Sequence, residues 1–269
     1  MRRALLICTL LTSLGAGAQH SQDLSISWGG IGFRGDVGPT WTPPTQGSAL
    51  TLGYRFQGHP HYAVRVVAEQ GEFTASDVSS GRSDREARGI TVRTQTQSAW
   101  VLGEVTFLPV RIPSFRFQHT PYVFSGLGVT SYNPQGQYQG EWMDLRPLAT
   151  EGQGLTGSGT TPYGSRALSV PLGLGWRAHL GPWLMAQAEV QWTWVRSDYL
   201  DDVSGNYADA EAVRAAHGDA AAYFADPTER QLTGYARGQS DQNDGWLRAN
   251  IGLGLHLEKF WETCAAFLN

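Results

Sequence analysis

Between Trp246 and His256 apolar and polar residues alternate without interruption, with Leu247, Ala249, Ile251, Leu253 and Leu255 on one face and Arg248, Asn250, Gly252, Gly254 and His256 on the other. A period of two belongs to a β-strand lying between unlike media. Comparable segments at about 24–33, 49–56, 62–73, 98–107, 122–131, 168–180 and 183–196 bring the expected number of strands to eight. Their connections alternate in length: those near 58–61, 109–119 and 181–182 are short, whereas those at about 34–48, 74–97, 132–166 and 197–244 are long.

Alternation does not by itself say which face meets water, because a soluble barrel shows the same period with its apolar face inward. Three features turn the apolar face outward, toward lipid. Short turns at one end and long loops at the other are the asymmetry of an outer-membrane barrel. The polar faces consist largely of Gly, Ser, Thr, Gln and isolated charges, too small and too sparsely charged for a soluble exterior. Tyr54, Phe56, Trp176, Trp192 and Trp194 fall toward the ends of apolar faces, as interfacial girdles do. The expected fold is all-β: an eight-stranded antiparallel transmembrane β-barrel with short periplasmic turns and long outer loops. One loop would carry a short helical insertion at about 208–224, interrupted at Gly218.

The ends of the chain fit an exported protein. Two arginines, a short apolar run over 4–14 and Ala16-Gly17-Ala18 read as a signal peptide over 1–18, leaving one barrel domain over 19–269 with a tail at 259–269. No later apolar run approaches the eighteen or so residues that a membrane helix needs. Cys8 falls in the signal peptide, so Cys264 has no partner for a disulfide or a cysteine-based zinc site. With 24 acidic against 20 basic residues and no basic stripe, nucleic acid is not an expected partner.

This phase sends Arg55, Arg65, Arg177 and Arg248 into the lumen together with Glu69, Glu104 and Glu189. The interior of an eight-stranded barrel is just wide enough for side chains to fill it, and buried charges persist only when paired. An ion-paired plug is therefore expected, with a narrow solute channel as the weaker alternative. Activity would then lie in loops, turns or tail. Trp142, Met143, Leu145 and Leu148 would form an apolar patch in water, so their loop either folds over the barrel mouth or meets a partner.

Asp198, Asp201 and Asp202, with Glu141 or Asp144, offer hard oxygen ligands suited to calcium, but their spacing matches no calcium loop. No metal and no cofactor is expected. His59, His61, His119 and His179 gather toward the periplasmic end, away from the outer loops, and the sequence contains no phosphate loop, metalloprotease helix or dinucleotide fingerprint. An enzyme is not expected.

Four stretches, 120–128, 145–154, 170–175 and 197–205, carry a resemblance. The more specific parts are Leu145 and Pro147 leading into Glu151-Gly152-Gln153-Gly154, and Asp198-Tyr199-Leu200-Asp201-Asp202-Val203-Ser204-Gly205. With them, nearly the whole mature chain resembles the PorG-like family of small outer-membrane β-barrels, which is associated with the type IX secretion system. The resemblance implies a non-enzymatic barrel in the outer membrane of a Gram-negative-type bacterium. Such a barrel contacts outer-membrane lipid and anchors secretion machinery through periplasmic ring proteins. The residue reading also leaves open a stand-alone barrel whose outer loops bind an external ligand or surface.

Overall fold

The computed structural model describes residues 21–40, 43–109 and 118–258. The stretch read as a signal peptide and the tail from 259 onward, with both cysteines, lie outside the described residues. Eight long strands form the wall: β1 (Ser21–Arg34), β2 (Gly47–His59), β3 (Tyr62–Ser76), β4 (Thr91–Thr106), β5 (Gln118–Tyr138), β7 (Arg166–His179), β8 (Leu184–Val195) and β9 (Gly245–His256). Neighbours pair antiparallel in the order β4-β3-β2-β1-β9-β8-β7-β5, and β4 pairs with β5 to close the sheet on itself. Closure leaves no sheet edge in the wall, which a strand crossing hydrocarbon requires because water is absent there to satisfy an edge.

Alternation carries through the wall. Leu24, Ile26, Trp28, Leu52, Val66, Val101, Leu127, Leu174, Ile251 and Leu253 point outward and are about half or more exposed, while their chain neighbours are largely buried. An apolar belt running round a closed barrel is far larger than the apolar patch a soluble monomer exposes, and it matches the lipid-facing band of a transmembrane barrel. Trp28, Trp176 and Trp194 lie on this outer surface.

The strands extend further on the outer side than the alternation indicated. The loop read at 74–97 is shorter, because β3 and β4 stay paired out to Ser76 and Thr91. The loop read at 132–166 likewise gives way to β5, which continues to Tyr138 and folds back through β6 (Glu141–Asp144). These strand ends project past the apolar belt: their outward face turns polar, with Thr74, Thr91, Gln95 and Gln97 exposed, while Ala75, Val92 and Tyr132 point into the core among polar Thr94 and Thr96, so the lipid-facing alternation does not mark them. The described parts of the remaining outer connections, 35–40 with 43–46, 77–90, 139–165 and 196–244, pack into a lid. Two of them contain helix, not one: α1 (Ser83–Arg88) lies in the second, and α2 (Ala210–His217) and α3 (Asp219–Ala225) in the last. Gly218, at φ 87°, separates α2 from α3.

The lumen is layered in a way that composition concealed. Its periplasmic and central parts are charged, but toward the mouth it is filled by Ile31, Phe33, Phe73, Trp100 and Trp246, all essentially inaccessible. Phe33 and Phe73 stack with ring centres 4.5 Å apart. The polar-face glycines of β7 have a packing role here. Gly175 and Gly173 face Tyr122 and Phe124 across the β5–β7 ladder, and a Cβ on either would come within 2.4 Å of the opposing ring.

Candidate functional site

The inward phase of seven strands gathers the lumen charges into two connected groups. In the one nearer the periplasm, Glu104 accepts from Arg55 Nε at 2.8 Å and from Arg177 Nη1 at 2.7 Å, while Arg55 Nη1 donates to Asp23 at 2.8 Å. Asp23 also pairs with His256, whose ring stacks on His179 with centres 4.9 Å apart. In the group above it, Arg65 pairs with Glu189, and Arg248 pairs with Glu69 and reaches Glu189 at 3.4 Å. Thr51 and Gln191 complete the shell of Arg248 at 2.8 and 2.7 Å. Every one of these side chains is buried.

Two members of this network escape a reading of the alternation. Asp23 brings the carboxylates level with the four arginines; it sits on β1, whose faces were not assigned from sequence. Tyr122 joins the two groups, because its hydroxyl donates to Glu189 at 2.7 Å while Arg177 lies over its ring at 4.3 Å. It sits on β5, whose glycines blurred the phase. A cation over an aromatic face adds attraction where water is excluded.

At the mouth, the two stretches singled out in the outer loops meet. Glu151 Oε1 accepts from Ser204 N at 2.9 Å and from Arg237 Nη1 at 3.1 Å, and Oε2 accepts from Gly205 N at 3.0 Å and Tyr199 Oη at 3.3 Å. Thr150 Oγ1 donates to Asp202 at 2.5 Å, as does Tyr163 Oη. The Gln153 side chain caps Glu151 N at 3.1 Å. Gly152 and Gly154 hold φ of 72° and 80°, a left-handed backbone that side-chain-bearing residues disfavour, so the turn presenting Glu151 depends on them. Leu145 is buried in the lid core, Met143 and Leu148 pack against it, and Trp142 lies under Arg93 at 4.2 Å; Pro147 is exposed in a tight turn. Of the two courses open to this loop, it takes the fold over the mouth.

Beneath the lid lie carboxylates held largely by backbone amides. Asp201 accepts from Val37 N at 2.9 Å and Val203 N at 3.1 Å, and Asp244 Oδ2 accepts from Leu200 N at 2.9 Å. Asp244 Oδ1 and Asp198 Oδ2 have no hydrogen-bond partner among the described residues. Burial pushes the pKa of Asp198 up to about 8, of Asp201 to about 7 and of Asp202 to about 6, and raises Asp244 well above the usual range with help from Asp201 and Asp198.

The calcium arrangement does not form. Asp144 bonds Asn133 and Gln135 on the β5–β6 hairpin, and no three acidic, histidine or cysteine side chains converge on one point among the described residues. At the other end of the barrel, His61 Nδ1 in the β2–β3 turn lies 2.8 Å from Thr106 O at the end of β4.

Solved structures with a similar course include Neisserial surface protein A (TM-score 0.41, 7% identity, 90% of this chain and 99% of that one). OprG from Pseudomonas aeruginosa (0.40, 9%, 90% and 97%) and the N-terminal barrel domain of Pseudomonas aeruginosa OprF (0.37, 10%, 88% and 98%) are also similar. These likenesses are too weak to bear on function. No curated protein matches the chain. A family model described as a domain of unknown function, DUF6089, matches residues 2–146, more than half of the sequence, and the protein belongs to that family.

Proposed function

We propose that this protein is a non-enzymatic outer-membrane barrel that serves as an anchoring component associated with type IX protein secretion. The observation that carries the reading is the crossing of the bore by two ion-paired groups beneath a folded lid. A pore lined by unpaired charge conducts; here each arginine already holds a carboxylate, and opening a path would strip buried charges of their partners at a cost of several kcal/mol. A barrel without a path offers surfaces. Its outward belt takes outer-membrane lipid, and its short turns and chain ends would take periplasmic ring proteins. The secretion context rests on the resemblance in 145–154 and 197–205, the two stretches joined through Glu151.

Deleting the gene should abolish surface delivery of type IX cargo while leaving other outer-membrane proteins assembled, read by mass spectrometry of the secreted fraction. Intact cargo secretion would overturn the anchoring role. Planar-bilayer recordings on the purified barrel should show no stable unitary conductance; regular conductance steps would overturn the closed bore.

A further inference from the structure

On the outer face, α1 and the last outer loop enclose a polar cavity of about 540 Å³. Five arginines line it, Arg82, Arg85, Arg88, Arg230 and Arg237, against the carboxylates of Asp36 and Asp84. Three of the arginines are committed: Arg88 to Asp77, Arg237 to Glu151, and Arg82 to Asp84. The other two are not. Arg85 is buried, and its Nη1 donates only to the carbonyls of Gly35 at 3.2 Å and Gly38 at 2.6 Å. Arg230 is exposed and touches only the Ala87 carbonyl, at 3.3 Å. Among the described residues neither has a carboxylate within ion-pairing distance. Every other buried arginine among the described residues carries a carboxylate, so Arg85 stands apart. Carbonyl contacts hold its guanidinium in place without neutralising it.

We propose that this cavity binds a phosphate or sulfate ester carried on a sugar. A fixed guanidinium presents a planar fork of donors that matches the oxygens of such an ester, and charge-assisted bonds of this kind are the strong ones. Arg85 supplies the pre-positioned cation at the wall and Arg230 a mobile one at the rim. Tyr235, 69% exposed on the same wall, gives an aromatic face for the sugar ring. Asp36 lines the same cavity, its Oδ2 accepting from Gln239 N at 2.7 Å, and opposes an anion, so binding depends on the excess of arginines over carboxylates there. The proposal requires only that this mouth face outward and stands independently of the secretion role.

The test uses the full mature chain in detergent micelles and isothermal titration with glucose 6-phosphate, glucose 6-sulfate and glucose. Saturable binding of the esters but not of glucose is expected, weakening as salt screens the charges. Arg230→Gln should weaken it by about tenfold, the loss of one charge-assisted contact, and Arg230→Glu should abolish it; both lie on an exposed loop and leave the barrel heat-modifiable. Arg85→Lys, which keeps the charge but loses the fork, should weaken binding while the lid remains closed by hydrogen exchange. Arg214→Gln, outside this cavity on α2 where Arg214 pairs with Glu211 and Asp219, should change nothing. Competition by lipopolysaccharide but not by its dephosphorylated form would identify the ester as membrane-borne; competition by neither would identify a free glycan. No saturable ester binding, equal binding of glucose, or undiminished binding by Arg230→Glu would overturn the proposal.

Discussion

Glu104 accepts from two guanidinium groups on one oxygen, and Arg177 Nη2 reaches the other at 3.1 Å, so its charge is shared between β2 and β7 across the bore. Removing one partner from such a buried set leaves a charge without compensation. Arg177→Met should cost about 3–5 kcal/mol, seen as a lower urea midpoint of the refolded barrel, whereas the double change with Glu104→Gln should recover part of the loss. Equal midpoints for the single variant and the parent would mean that the charges are hydrated and the bore is open. The same scale shows what a period of two can reveal. It assigns Arg177 and Glu104 to one side of their strands, because each lies between apolar neighbours. It does not say who meets whom, since Arg55 and Glu104 are 49 residues apart and only the register of three strands brings them together. Tyr122 was hidden for a different reason. On β5 Gly126 and Gly128 erase the polarity contrast, whereas the room for its ring and that of Phe124 is left by Gly175 and Gly173 on β7; Gly175→Val should disrupt that packing and lower the yield of heat-modifiable barrel.

At the scale of elements the lid behaves unlike the wall. Strands could be placed from sequence because one face meets lipid and the other does not, whereas the lid segments are ordered by long-range contacts such as Glu151 to Ser204 and Asp201 to Val37. The sequence separated the two helical stretches at Gly218 but could not place them over the mouth. The lid carboxylates give it a pH dependence whose sign is fixed. Asp198, Asp201, Asp202 and Asp244 all bind protons more tightly when folded than the usual carboxylate value near 3.8. Between about pH 4 and pH 8 the folded lid therefore holds more protons than an opened one, and its stability falls as pH rises through that window. Burial dominates this balance, although Arg88 near Asp201 and Arg237 near Asp202 pull the other way. Hydrogen exchange normalised to the intrinsic rate should show protection of the amides of Leu200 and Val203 declining from pH 5 to pH 8, with no decline for strand amides. Asp244→Asn keeps the acceptor for Leu200 N and removes a titrating group, so it should flatten the profile; a lid most protected at high pH would reverse the assignment.

For the whole molecule, the inward and outward faces make separate demands on the same strands. Inside, charge is neutralised pair by pair and the mouth half is packed with aromatic and aliphatic side chains, so the barrel is rigid without needing an external partner to close it. Outside, the belt has no partner among the described residues, and its area is what ties the fold to a bilayer. Ile251 tests that link. It is 70% exposed on β9, opposite Trp28 on β1 and Ala188 on β8, well away from either strand end. An arginine there meets hydrocarbon at a cost of about 2–4 kcal/mol near the bilayer midplane, while the adjacent inward Asn250 keeps its contact with Ser27 at 3.2 Å. Ile251→Arg should therefore reduce assembly into lipid vesicles, measured as the fraction resistant to unfolding in cold SDS, yet leave folding in detergent micelles nearly unchanged, since a micelle deforms around one charge. Equal assembly in both media would show that this face does not lie in hydrocarbon, whereas equal failure in both would show that Ile251 is needed for strand packing instead.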